Sequence, residues 1–493
     1  MLEEETGTTG DPGAEKPPPK VTGASLTFNA ASGEQAHYEP FTELPKGVDS
    51  GDLYEPKAPG KLAQGFANFM FRSLIPGFFA LLRAIAPVFK LPFTNVTLLT
   101  RFDDVQEVFS RNKDFVVPYI KMAGPLRWDP TFVLAMKHDD EAYKKMIGNM
   151  RALWLDSDLD DITEIARDVS TKALDAHDGK IDAVQDLMLP VVLHVLKRYY
   201  GMPMVGLTER DMVTNRLPGH EKLSEDQKHN IRRLEAFITG TNAIAGYVFG
   251  PQTLNDKKIR EIHWAANSVW PYLYEATNNY GENAPPDNTI IGRARAQRSR
   301  GEMSITDAEL RSIILGMIAG FLPTNTNANG KAFDVLMKTP SAKAAAQEAV
   351  DQEDDNALLG IIYEAQRHQY ILPGLWRTTE KDQILGIGRK RQKIIKEGRL
   401  LYISGLSAMF DKRRVIKPKE FIGDRSRDTY LIYGHRFHYC IGAHLSDKMM
   451  LAMFKALFKR HAEYQKGAKV KFRGAIPSQI LVDYDVTVAN KEA

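Results

Sequence analysis

The chain has 493 residues, with 65 Lys and Arg against 62 Asp and Glu for a formal net charge of +3; 43% of residues are apolar and 26% charged. This composition supports a large core and excludes both a disordered chain and a polybasic nucleic-acid-binding tail. A single Cys excludes an intramolecular disulfide and any zinc or iron–sulfur site built on several cysteines, and it fits a reducing, cytoplasmic setting.

Residues 1–40 read as a disordered or extended tail: MLEEETGTTGDPGAEKPPPK is acidic, carries Pro12, Pro17, Pro18 and Pro19, and lacks the pattern of a secretory signal. The stretch 66–92 (FANFMFRSLIPGFFALLRAIAPVFKLP) is the most membrane-like, but Arg72, Pro76, Arg83 and Pro87 interrupt it. It reads as a core helix, with at most a peripheral bilayer contact. Next, VTLLTRFDDVQEVFS (96–110) reads as a strand, a turn and an amphipathic helix, and residues 159–200 and 224–250 have helical spacing.

The longest predicted helix opens with a capping box at Thr306 and Glu309. Leu310, Ile313, Ile314, Met317, Ile318 and Phe321 mark one face, and the pattern runs on to Thr339-Pro340. Its length is about 30 residues, or roughly 45 Å. Pro323 inside it removes the bond to the Ala319 carbonyl, which predicts a kink or a groove. After residue 350, short β-like pieces (382–387, 400–403) alternate with loops, a last helix spans 441–460, and ILVDYDVTV (480–488) reads as a strand. The basic run GRKRQKIIKEGR (388–399) is bracketed by Gly388 and Gly398 and broken by Ile394 and Ile395, so it reads as an exposed hairpin rather than a nucleic-acid patch. No GxxxxGK, GxGxxG after a strand, HExxH or GxSxG signature occurs.

The lone Cys440 lies in YGHRFHYCIGAHLS (433–446), at the start of the last helix, with His435, Arg436, His438 and His444 around it. A helix start is expected to lower the thiol pKa, and Gly434 and Gly442 allow close backbone approach to something bulky. A lone Cys is more often a small buried hydrophobe, but these neighbours favour a ligand. The segment resembles the heme-binding loop of the cytochrome P-450 family, F-G-x-G-x-H/R-x-C-x-G. Gly434, His438, Cys440 and Gly442 match, Tyr433 stands for the Phe and Arg436 for the second Gly. YEAQRHQYILPGLWR (363–377) resembles the family's K helix and the strand after it, AMFDKRR (408–414) its ANRDP stretch, FIGDRSR (421–427) its meander, and the long helix with Ala319-Gly320 its I helix.

The resemblance covers about residues 41–493. It implies one mainly α domain with small β-sheets, a long kinked helix crossing over heme b, in place of the roughly three domains that length alone suggests at about 150 residues each. It makes Cys440 the axial ligand of the heme iron, with Tyr433 packed beneath the sulfur. His438 and Arg377 pair with the heme propionates, with Lys144 or Lys145 as weaker candidates, and Glu364, Arg367 and Arg425 form a buried ionic cluster instead of ordinary surface charges.

The family's acid–alcohol pair is out of register here: Leu322 and Pro323 fall on it, leaving Thr324 and Asn327 as the candidate catalytic residues. The resemblance therefore implies a monooxygenase acting on a small apolar or lipid-like substrate. The alternatives are a peroxygenase or lipid-hydroperoxide-rearranging enzyme, and a non-catalytic heme sensor or carrier. Lys448, Lys455 and Lys459 on the last helix offer a docking face for a ferredoxin-type electron donor, against the plainer reading of a solvated helix face.

Overall fold

The structure is a computed structural model describing residues 74–126, 133–136, 140–204, 224–253, 255–278, 284–473 and 476–488. The predicted tail, residues 1–40, lies outside the described residues, as does the first part of the 66–92 stretch. The N-terminal part holds α1 (Ile75–Ile85), β1 (Val88–Lys90), β2 (Val96–Leu99) and α2 (Phe102–Ser110). In α1, Phe79 and Leu82 are buried while Phe78, Leu81 and Ile85 face outward, so only one side of this helix joins the core.

A mostly helical body follows: α3 (Glu141–Ala152), α4 (Asp158–Asp175), β3 (Lys180–Asp182), α5 (Leu189–Arg198), α6 (Glu225–Phe249), α7 (Asp256–Asn278) and α8 (Ile290–Ser299). Then come α9 (Asp307–Lys338), α10 (Pro340–Asp351) and α11 (Asp355–His368). The capping box is present: Thr306 Oγ1 accepts from the Glu309 N–H at 3.1 Å, and the Glu309 carboxylate accepts from the Thr306 N–H at 2.9 Å. Its 32 residues make α9 about 48 Å long. The apolar stripe read from the sequence understates its setting. Leu315, Ala319 and Leu322 are buried as well, so the middle of α9 is enclosed on all sides, as expected of a helix through a large core.

Four strands form the sheet that positions the site. β4 (Leu375–Arg377) ends on a buried arginine, and β7 (Leu400–Ile403) lies between β4 and β2 in the order β1-β2-β7-β4. The β2–β7 pair is parallel, with Val96 opposite Leu400 and Leu99 opposite Ile403, and the other two pairs are antiparallel. β5 (Gln383–Leu385) and β6 (Lys393–Ile395) make the predicted basic hairpin, with Ile384 opposite Ile394.

The last helix, α12 (Ala443–Lys459), packs on α4 and α10. It is followed by β8 (Glu463–Tyr464), β9 (Lys471–Arg473), β10 (Ile476–Gln479) and β11 (Leu481–Asp483). The predicted final strand is short because beyond Asp483 the backbone bonds leave the ladder: Asp485 N–H donates to Arg460 O at 2.8 Å. Among the described residues no helix is long and apolar enough to cross a membrane.

Candidate functional site around Cys440

Backbone bonds shape the loop before α12. The Cys440 N–H donates to Tyr433 O at 2.9 Å, and the Gly434 N–H to Leu431 O at 3.0 Å. Gly434 has φ +78°, and a Cβ there would stand 3.0 Å from His438 O, so both conformation and space demand glycine. Arg436, where the family pattern has its second Gly, also sits in the left-handed region at φ +55°. That conformation costs an L side chain roughly 1–2 kcal/mol, part of which glycine's extra unfolded entropy gives back. Arg436→Gly is therefore expected to stabilise the protein by about 1 kcal/mol or less, read as a higher midpoint in thermal or urea melts. At Gly442 an added Cβ would meet only ordinary contacts, the Trp154 ring at 3.7 Å and Cys440 Sγ at 3.9 Å.

Cys440 is exposed to a solvent-sized probe. Even so, burial among protein atoms pushes its thiol up to about 11, against a hydrogen bond from the Gly442 N–H. The sulfur is thus open to solvent on one side and surrounded by protein atoms on the others. The upward shift corrects the expected lowering of the thiol pKa: desolvation outweighs the helix start, and the Asp447 charge adds to it. The Tyr433 hydroxyl donates to Asp447 Oδ1 at 2.9 Å.

The predicted ionic cluster is formed, and it is deeply buried. Glu364 and Arg367 are 0% exposed. Arg367 Nε and Nη2 donate to the two carboxylate oxygens at 2.9 and 2.7 Å, and Arg425 Nε donates to Oε1 at 3.1 Å. The Ile422 N–H (3.0 Å) and the Tyr430 hydroxyl (3.2 Å) also donate to Glu364, and His368 Nε2 lies 3.6 Å from Oε1. Arg367 reaches on to Met409 O and Pro418 O at 3.1 and 2.8 Å, tying α11 to the two loops that support the Cys440 segment. Burial alone would raise the Glu364 pKa, but these donors hold it far below the usual carboxylate range.

Arg377, at the end of β4, is 2% exposed. Its Nη1 donates to Trp376 O at 2.7 Å, its guanidinium lies 5.4 Å from the Phe109 ring, and Tyr119 is its polar side-chain neighbour. Its Nε has no partner, and among the described residues no carboxylate pairs with it. Burial lowers the Arg377 pKa.

His438 is half-buried, its ring 5.0 Å from that of Phe437. Lys144 stands 55% exposed on α3 in an ion pair with Glu141, one turn away. Lys145 is bound to Glu309 at 2.7 Å. The structure thus gives both lysines local carboxylate partners near the surface, a setting unlike that of Arg377.

On α9, Gly320 has open space where a Cβ would point. The Thr324 hydroxyl donates back to the carbonyls of Gly320 and Phe321. Asn325, Thr326 and Asn329 bond the carbonyls four residues before them at 2.9, 2.9 and 2.8 Å. Asn327 is 8% exposed, and its Oδ1, like that of Asn329, has no partner.

Three residues of the site were not singled out from the sequence. Asp447 has a signal, an acid on the otherwise apolar inner face of α12. Tyr119 and Trp154 have none. The Trp154 indole N–H is buried without a partner, and its ring meets those of Tyr199 and Tyr200 edge-on at 6.1 Å each.

No protein-family model matches the chain. Two curated relatives do: Cyclomarin C epoxidase CymV of Salinispora arenicola, 22% identical over 288 residues or 58% of this chain, and Cytochrome P450 165C4 of Amycolatopsis orientalis, 24% identical over 223 residues or 42% of it. The match spans 62% and 52% of those two proteins. Solved structures match over far more of the chain. Cytochrome P450 CYP109Q5 from Chondromyces apiculatus has a TM-score of 0.63 at 17% identity, over 84% of this chain and 96% of that one. Cytochrome P450 TbtJ1 scores 0.64 at 16% identity, over 84% and 98%. CYP109E1 from Bacillus megaterium, in complex with corticosterone, scores 0.62 at 17% identity, over 86% and 100%. In sequence the chain resembles the cytochrome P-450 family, and its fold is the cytochrome P-450 fold.

Proposed function

We propose that the chain is a heme-thiolate oxidoreductase that holds heme b at Cys440 and inserts oxygen into a small apolar or lipid-like molecule. The observation that carries this reading is the pairing of a partly enclosed Cys440 sulfur with a buried Arg377 guanidinium that has no carboxylate partner among the described residues. A heme offers what both need, an iron cation for the sulfur and a propionate for the guanidinium. When bound, such a group supplies activation of an O–O bond, aided by electron release from the thiolate.

The chain's own residues have separate parts in this reading. The Gly442 N–H, bonded to the sulfur, tunes the ligand. Arg377 and His438 hold the propionates. Gly320 leaves room beside α9, and Asn327 Oδ1 accepts a hydrogen bond from a water that it keeps in place. Thr324 contributes less, since its hydroxyl proton is committed to α9 carbonyls. Asn327→Ala is expected to lower turnover about tenfold, and Thr324→Ala by less, both below the roughly 100- to 10,000-fold of a direct general acid or base because Asn327 acts through a held water. Steady-state rates at saturating oxidant check this, and equal effects would contradict it.

A second reading, peroxide chemistry, is favoured by one observation. Leu322, fully buried, and Pro323 fill the places of a proton-delivering pair, and a substrate that already carries a reduced O–O bond needs no such pair. The name of the first relative, an epoxidase, supports oxygen insertion. Product formation with a surrogate reductase and dioxygen supports the monooxygenase. Product with hydrogen peroxide or a lipid hydroperoxide alone supports the alternative, and heme uptake without turnover of either oxidant would make the chain a sensor or carrier.

In a cytoplasmic setting, an acidic ferredoxin-type donor would meet α12 at Lys448, Lys455 and Lys459, of which Lys455 pairs with Asp355 at 2.8 Å.

A further inference from the structure

Asp447 lies on α12, seven residues after Cys440, and the site described so far leaves its function open. Its Oδ1 accepts from the Tyr433 hydroxyl at 2.9 Å, and the Tyr363 hydroxyl donates to Oδ1 and Oδ2 at 2.9 and 2.7 Å. One carboxylate thus joins α11, the Cys440 loop and α12. Tyr433 also fixes the ligand segment directly, because its carbonyl accepts the Cys440 N–H at 2.9 Å. Two phenol donors on one carboxylate suit the ionised form, which only accepts hydrogen bonds. On the outer side, the exposed Arg427 guanidinium lies 4.1 Å from the centroid of the Tyr363 ring. Burial pushes the Asp447 carboxyl up, and the two phenols and Arg427 work against that shift.

We infer that Asp447 is a positioning and charge-setting residue: through Tyr433 it holds the Cys440 backbone, and its negative charge, one hydrogen-bonded residue removed from the ligand segment, makes a heme iron bound there harder to reduce. The inference rests on the heme-thiolate reading. Reduction of ferric to ferrous iron takes one electron from an external reductant and lowers the local charge by one, so a fixed anion nearby disfavours it and a fixed cation favours it. Arg427 partly offsets Asp447, and removing either charge shifts the equilibrium in opposite directions. Asparagine at position 447 removes the charge and keeps one oxygen that can accept from both phenols, while the other oxygen becomes an amide donor.

Redox titration of the heme-loaded protein tests this. In Asp447→Asn the ferrous-to-ferric ratio at a fixed solution potential is expected to rise at least about fivefold, as for loss of a charge in a medium of intermediate dielectric. In Arg427→Gln it is expected to fall, by less because that side chain is exposed. Both variants should keep the thiolate-type spectrum of the carbon monoxide complex. A purely structural role for Asp447 would lower heme retention or melting temperature and leave the ratio unchanged, and that result would overturn the inference. So would shifts of the same sign in the two variants. Should Asp447→Asn fail to fold, Arg427→Gln decides alone, and an unchanged ratio overturns the proposal. A wild-type chain that takes up no heme overturns the heme-thiolate reading and this inference together, whereas a normal holoprotein with an unmoved ratio overturns only the inference.

Discussion

Glu364→Gln is expected to destabilise the protein by about 3–5 kcal/mol, enough to unfold most of the chain at moderate temperature. The carboxylate is fully buried and accepts from Arg367, Arg425, the Ile422 N–H and Tyr430. Glutamine removes the charge and turns one acceptor into a donor facing two guanidinium groups, which leaves buried cations unpaired. The sign with pH follows from the direction of the shift. Glu364 has a folded pKa held far below its ordinary value of 4.5, so its stabilisation is complete above that value and is lost as pH falls towards the folded pKa. Urea unfolding should therefore separate wild type from variant by several kcal/mol at pH 7, with the gap narrowing below about pH 4.5. A variant as stable as wild type at pH 7 would contradict the account of the cluster.

The second large effect is a reversal of sign at Arg377. Its guanidinium is buried, with an unpartnered Nε and no carboxylate partner among the described residues, so Arg377→Met should raise the melting temperature of the apoprotein by removing a charge that no carboxylate compensates. The same change should weaken heme binding about 10- to 100-fold, the worth of one or two charge-assisted hydrogen bonds. Melts of the apoprotein and heme titration of both forms check this. Loss of stability in the apoprotein together with unchanged heme affinity would mean that Arg377 serves the fold and not the cofactor.

What could be read from the sequence was local or tied to a motif. The capping box of α9, the β2–α2 unit and the limits of α12 each depend on residues within a few positions of one another, and each appears close to where the pattern put it. Glu364 and Arg367 sit one turn apart on α11, which a sequence can show; that Arg425 reaches the same carboxylate from 61 residues away came only from the resemblance.

The missed features depend on packing between elements distant in sequence. The Asp447 shell takes Tyr363 from another helix, and the direction of the Cys440 shift turns on how much protein surrounds the sulfur, which no local pattern encodes. Lys144 resembled a propionate partner by charge and position along the chain, yet its neighbour Glu141 shares the exposed face of α3 and pairs with it. The Thr324 hydroxyl is committed to carbonyls of its own turn, and the bonds that a helical threonine makes in this way cannot be weighed from the sequence.

The central claim is that Cys440 binds the iron of a heme, and the spectrum of the reduced, carbon monoxide-bound protein tests it most directly. The expected result is the red-shifted Soret band of a thiolate-ligated heme in the wild type, lost in Cys440→Ser. A heme spectrum without that band, or one that Cys440→Ser leaves unchanged, would contradict the assignment.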